Sequence, residues 1–182
     1  MLNTDFPKLK LKNKLLLPIV QGGMGVGISA HGLAGSVARL GAIGTISSVD
    51  LRRHHPDLMA RTDKSRDKAL INEANLIALD REIRAALDMA AGNGVIAVNV
   101  MRAVAEYAAY VRQSCESGAG AIVVGAGLPM DLPELTTDFP DVALIPILSD
   151  ARGISLILKK WMRRQRLPDA VSYTHLTLPT KA

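Results

Sequence analysis

A single cysteine, Cys115, stands among the 182 residues, so no internal disulfide can form; this suits a reducing compartment. Aromatic side chains make up only 3%, too few for the stacking platforms on which proteins hold single-stranded nucleic acid. No charge-free apolar run approaches the roughly 20 residues that cross a bilayer. Residues 1–14 are mixed and polar, without the apolar centre of a signal peptide. A soluble, cytoplasmic protein without a membrane partner is expected. The four histidines are also sparse. His31 opens a helical stretch, and the adjacent His54 and His55 have no cysteine or carboxylate cluster beside them, so no metal site is expected. No Ser-His-Asp set shows nucleophile-elbow spacing. The net charge of +5 is concentrated at residues 52–68 and 159–166. Without a recognition motif, these basic runs read as solvated surface, and nucleic-acid binding is not expected.

What is present is a rhythm. Hydrophobic residues make up 48%, and strand-sized apolar runs alternate with helical ones. Strands are expected at 15–20, 42–47, 95–101, 121–124 and 142–148. Helices are expected at 30–40, 72–91, 104–117 and 151–166, with a short one at 132–137. In the first helix Leu33, Val37 and Leu40 recur at helical spacing. In the second, Leu76, Leu79, Ile83, Ala86 and Ala90 mark a buried face. Residues 49–70 are basic and aperiodic, which reads as a lid or insertion. A sixth strand is expected to begin at 167–170. Five successive βα units with continuously apolar strands predict a parallel sheet covered on both faces. A doubly wound open sheet could be complete at this length, whereas a (β/α)8 barrel needs about 250 residues.

The densest chemical signal is the glycine-rich turn after the first strand, Gln21 to Gly27. It lacks G-x-G-x-x-G spacing, and no acidic residue ends the second strand to hold a ribose, which weighs against a dinucleotide site. Two readings stay open: a tight turn without a ligand, and a seat where backbone N–H groups approach a flavin with Met24 against its plane. Asn99 ends an apolar strand with a side chain that both donates and accepts; it reads either as a group facing a ring edge or as a turn-forming cap. Gly125 and Ser149 also sit at strand ends, which in a barrel converge on the face where active sites are built. Cys115, in an alanine-rich helical stretch without a histidine or helix start beside it, reads as a small core residue.

The segments PIVQGGMGVGIS (18–29), GAIGTIS (41–47), VNVM (98–101), VVGAGLP (123–129) and ALIPILSDARG (143–153) together resemble the nitronate monooxygenases over about residues 10–170. The flavin-dependent enoyl-acyl-carrier-protein reductases resemble the same stretch almost as closely. The first resemblance implies an FMN-containing (β/α)8 barrel that oxidises alkyl nitronates with O2 to carbonyl compounds and nitrite. It implies that Gln21, Gly22, Gly23 and Met24 border the flavin and that Asn99 hydrogen-bonds it, with Gly125 and Ser149 near its rim. The family's glycine-glycine-histidine segment and later phosphate-holding loops have no counterpart in this sequence, so no catalytic residue is assigned. Residues 171–182 depart from the family pattern and read as a non-native tail, and His175 within it is not matched to the family histidine. The expected protein is therefore residues 1–170 as about five βα units of an incomplete (β/α)8 TIM barrel, with weak or no FMN retention and negligible turnover. Self-association through unpaired barrel edges is expected. An open-sheet α/β module that binds a ligand or partner without catalysis is the alternative from another class.

Overall fold

The computed structural model describes residues 5–173; His175 and most of the expected non-native tail lie outside them. The chain begins with an antiparallel hairpin of β1 (Leu9–Leu11) and β2 (Lys14–Leu16). Residues 17–21 then run parallel to β3 (Ile43–Ser47). Leu17 N–H donates to Gly41 O at 2.8 Å, Ile43 N–H to Ile19 O at 3.1 Å, and Gln21 N–H to Ile43 O at 2.9 Å. The strand expected at 15–20 is thus two pieces. Pro18, which has no N–H to give a ladder, stands where the chain leaves the hairpin for the sheet.

The sheet continues with β4 (Val95–Met101), β5 (Ala121–Gly125), β6 (Ala143–Leu148) and β7 (Ser172–Tyr173), all parallel and in the order β3-β4-β5-β6-β7. Sequential order without a reversal is the order of a barrel; a doubly wound sheet reverses at a switch point. Packing agrees. Outward residues Ile46, Ile96, Val98, Ile122, Val124 and Leu144 share a core with the helices. Inward residues Ile43, Val95, Ala97, Ala121, Ala143 and Ile145 pack instead around Leu11 and Leu16 of the hairpin. Helices therefore cover one face, as in the expected incomplete barrel. The hairpin plugs the N-terminal end of the other. The sixth strand falls later than expected because Asp169 forms a corner. Its N–H donates to Leu144 O at 3.0 Å, and its carboxylate accepts from Leu144 N–H at 2.9 Å and pairs with Lys12 at 3.0 Å.

α1 (His31–Arg39) buries Ala34, Gly35 and Ala38, while Leu33 and Leu40 are exposed. The face is the reverse of the one suggested by leucine spacing, because the helix lies almost on the sheet. A Cβ at Gly44 would come within 1.8 Å of Ala34 O, and only small residues permit that approach. The expected lid at 49–70 is a packed element: a 3-10 turn at Leu51–His54, then α2 (Pro56–Thr62). Leu51 and Leu58 are buried, and so is Arg52, whose guanidinium lies 3.0 Å from the Asp50 carboxylate and 3.0 Å from the Thr62 hydroxyl. Two apolar anchors were too few to reveal a period, although Pro56 stands at a favoured first position.

α3 (Lys68–Ala90) starts four residues earlier than expected because Asp67 caps it, accepting from Ala69 N–H at 2.9 Å. Leu79, Ile83, Ala86 and Ala90 are buried as expected, and Leu76 is partly buried; each large aliphatic contributes about 1.5–3 kcal/mol by leaving water. α4 (Tyr107–Glu116), the single turn α5 (Leu132–Leu135) and α6 (Ala151–Met162) complete the helical layer. Trp161 is fully buried, and its indole N–H donates to Pro129 O at 3.1 Å. Among the described residues no helix is long and apolar enough to cross a membrane.

Candidate functional site at the C-terminal strand ends

Strand alternation places Ser47, Asn99, Val123 and Ile145 in one row across the inward face of β3 to β6, and Met101 beside Gly125 one step further out. The glycine-rich segment crosses above the β3–β4 end of this row. Its starting point is fixed by Gln21, whose carboxamide accepts from Thr45 N–H at 2.9 Å and donates to Thr45 O at 3.1 Å. The Gln21 side chain thereby extends the backbone ladder, and its amide also faces Gly22 O. Gln21 is a holding group for the loop.

Beyond it, Gly23 lies directly on Asn99: a Cβ there would come within 2.5 Å of Asn99 Cβ and 3.0 Å of Asn99 Nδ2. Gly25 lies beside Ser47, with Oγ 3.1 Å from the corresponding position. Nothing stands within 4 Å of a Cβ at Gly22, and Met24 is 43% exposed. Ser29 closes the loop. Its N–H and its hydroxyl both donate to Met24 O at 3.0 Å, and its own carbonyl accepts from Ser47 N–H at 3.0 Å. The loop is therefore anchored at both ends to β3 and rests on β4 in the middle.

The Asn99 backbone carbonyl accepts from Ser48 N–H at 3.1 Å, but among the described residues its half-buried carboxamide has no hydrogen-bond partner. A side chain that served as a strand-ending cap would be spent on backbone groups; this one is not. The buried Thr45 hydroxyl, on the same inward face, also lacks a partner. An unpaired buried polar group costs about 1–3 kcal/mol, so the Thr45 hydroxyl, with the half-buried Asn99 carboxamide one step beyond it, leaves polar capacity on this face that the described residues do not use.

Gly125 and Ser149 lie at the β5 and β6 ends. A Cβ at Gly125 would meet Ile147 Cδ1 at 3.1 Å. Ser149 lines a hollow of about 610 Å³ with Gly127, Leu148, Arg152, Gly153 and Leu156. The lining of that hollow includes neither Gly22 nor Asn99. The structure thus brings Gln21, Gly22, Gly23, Met24 and Asn99 together at one part of the rim and places Gly125 and Ser149 at another part of the same rim. Thr45, Ser47 and Ser29 were not singled out from sequence; the alternation of IGTIS was the available sign for the first two. Cys115 is buried away from the rim in α4, and burial pushes its thiol up to about 12.

A profile of the nitronate monooxygenase family matches residues 7–172. No curated protein matches the sequence. Among solved structures, FabK from Thermotoga maritima is similar at a TM-score of 0.54 and 16% identity, over 88% of this chain and 40% of that one. A point mutant of the same protein gives 0.52 and 18%, over 88% and 42%. Nitroalkane oxidase from Streptomyces ansochromogenes is matched at 0.36 and 14%, over 85% and 64%, too distant a likeness to bear on the fold. The likeness to FabK shows the fold alone, and the chain spans about two fifths of the FabK length.

Proposed function

The chain belongs to the nitronate monooxygenase family, and from that premise we propose that its C-terminal strand ends seat the isoalloxazine ring of FMN in an oxidoreductase acting on alkyl nitronates with O2. The observation that carries this reading is the unpaired Asn99 carboxamide beneath the glycine loop. An amide that donates and accepts at one edge suits the alternating donors and acceptors of a flavin ring. The open space at Gly22 allows backbone to approach a flat ligand without a Cβ between them, and exposed Met24 offers an apolar flank. The unpaired Thr45 hydroxyl adds a further polar group on the same face. These residues fit the ring.

When bound, FMN supplies the electron transfer by which a nitronate anion and O2 yield a carbonyl compound and nitrite. This chain's residues do the positioning. Gln21 and Ser29 hold the two ends of the loop, Asn99 orients the ring edge, and Met24 shields the ring from water. Gly125 and Ser149 border the rim on the side of the 610 Å³ hollow, where the nitronate is placed. None of Gln21, Gly22, Gly23, Met24, Asn99, Gly125 and Ser149 is basic, so they offer the phosphate of FMN no charged partner, which supports the reading of weak FMN retention. Copies of the chain associate through strand edges, since Leu15, Ile19 and Val20 along the first edge are all more than half exposed and unpaired edges template pairing.

The test is nitrite release and O2 uptake from a propane nitronate by the purified chain with added FMN. Nitrite above the rate of free FMN, lost in Asn99→Ala, supports the reading. FMN binding without nitrite release, together with reduction of an enoyl thioester by a nicotinamide, would replace it with the reductase alternative.

A further inference from the structure

Two of the histidines left without a role by the sequence converge on one carboxylate. Glu82, on α3, is 2% exposed. Its Oε2 accepts from the His31 backbone N–H at 2.7 Å and lies 2.7 Å from His31 Nδ1; its Oε1 lies 3.1 Å from His55 Nε2. Burial pushes the Glu82 carboxyl up, but the His31 hydrogen bonds and the two facing imidazoles together hold it below its ordinary value. A charge this deeply buried persists only where partners compensate its lost hydration.

The partners are the two supports of the glycine loop. His31 is the first residue of α1, two residues after Ser29. Ala30 gives α1 no side-chain cap, and Glu82 takes that place from another helix, putting a carboxylate on an orphan N–H at the positive helix end. His55 follows His54, whose ring is pressed against Gly27. A Cβ there would stand 1.4 Å from His54 Nε2, and Gly27 has φ +70°. One side chain thus holds the exit of the loop by hydrogen bonds to His31 and stands 3.1 Å from the imidazole at the corner that props its middle.

We propose that Glu82 is a positioning residue for the glycine-rich loop, acting through His31 and His55 to hold residues 22–29 over the ends of β3 and β4 before any ligand arrives. The loop's use as a flavin seat rests on the proposed function; the ordering of the loop by Glu82 does not. The test is amide hydrogen exchange of the full chain without flavin, in Glu82→Ala, Glu82→Gln and His55→Ala, with Arg84→Ala as an exposed change on the same helix. Glu82→Ala should speed exchange at residues 22–30 at least tenfold while β4 and β5 stay protected. Glu82→Gln, which keeps an acceptor for His31 N–H, should fall between, and Arg84→Ala should change nothing there. Unchanged loop exchange, or an equal rise throughout the sheet, overturns the proposal. If Glu82→Ala does not fold, His55→Ala carries the same test, with faster exchange expected at Gly27 and its neighbours. FMN is then added. Loop exchange that responds to Glu82 but gains no protection from FMN in any variant sustains the positioning role and sinks the flavin reading.

Discussion

Replacing Gly23 by alanine puts a methyl group where the structure leaves no room for one. The new carbon would stand 2.5 Å from Asn99 Cβ, against about 3.5–4.0 Å for a relaxed carbon–carbon contact, so loop and strand must part by about 1 Å. Overpacking of this kind costs about 1–3 kcal/mol. For a chain of this length each kcal/mol lowers Tm by about 2–4 °C, giving an expected fall of about 2–12 °C. The three nearest atoms are the Cβ, Nδ2 and Cγ of Asn99, which makes the clash separable. Asn99→Ala keeps the Cβ, the tightest of the three contacts, and should give only partial relief in combination with Gly23→Ala. Asn99→Gly removes it, and in the double variant the two losses should be less than additive by about 1 kcal/mol or more, even after the roughly 0.5–1 kcal/mol that glycine costs in a strand. Denaturant unfolding of the four proteins reads the cycle. A Gly23→Ala protein as stable as its parent, or strict additivity with Asn99→Gly, would refute the placement of the loop on β4.

Three further outcomes follow. The folded-state pKa of Glu82 lies below its ordinary 4.5, so its stabilising contribution is present above that value and is lost as pH falls through the folded pKa; the Tm gap between the parent and Glu82→Gln should close as pH drops below about 4.5, and a constant gap would contradict the assignment. Because burial pushes the Cys115 thiol up to about 12, Ellman's reagent near neutral pH should leave the folded chain unmodified and label it fully in urea. Arg52→Ala removes one of the two guanidinium partners of Asp50, leaving Arg53, and one of the hydrogen bonds of Thr62, and should cost about 1–3 kcal/mol in denaturant unfolding; a loss within experimental error would show that the buried guanidinium is not tied to its neighbours.

The parts of this fold that could be read from sequence are those whose cause is local. β4 runs from Val95 to Met101 as expected because an apolar run between Gly94 and Arg102, broken only by Asn99, is strand-sized and bounded at both ends. The buried stripe of α3 was readable for the same reason, and only its start was missed, where the Asp67 cap was overlooked. The β1–β2 hairpin was legible in principle: Leu9 and Leu11 alternate with lysines, a two-residue period hidden by the polar company. The orientation of α1 was not legible, because Leu33 and Leu40 carry the larger hydrophobic signal while the approach of Ala34 to Gly44 is decided by a partner 10 residues away. At the site, glycines and Asn99 announce themselves by standing at strand ends. The tasks of Gln21, Ser29 and Glu82 do not, since each is defined by a partner brought near only by the finished fold: Thr45 for Gln21, Ser47 for Ser29, His31 and His55 for Glu82.

The most direct test is a nuclear magnetic resonance titration of the isotopically labelled chain with FMN, following the backbone amides and the Asn99 side-chain amide. The account expects shifts concentrated at Gly22, Gly23, Met24 and the Asn99 carboxamide, with smaller ones at Gly125 and Ser149. Shifts gathered instead around Lys12, Asn93 and Gly94, which line a hollow at the opposite end of the sheet, or no shifts at saturating FMN, would contradict it.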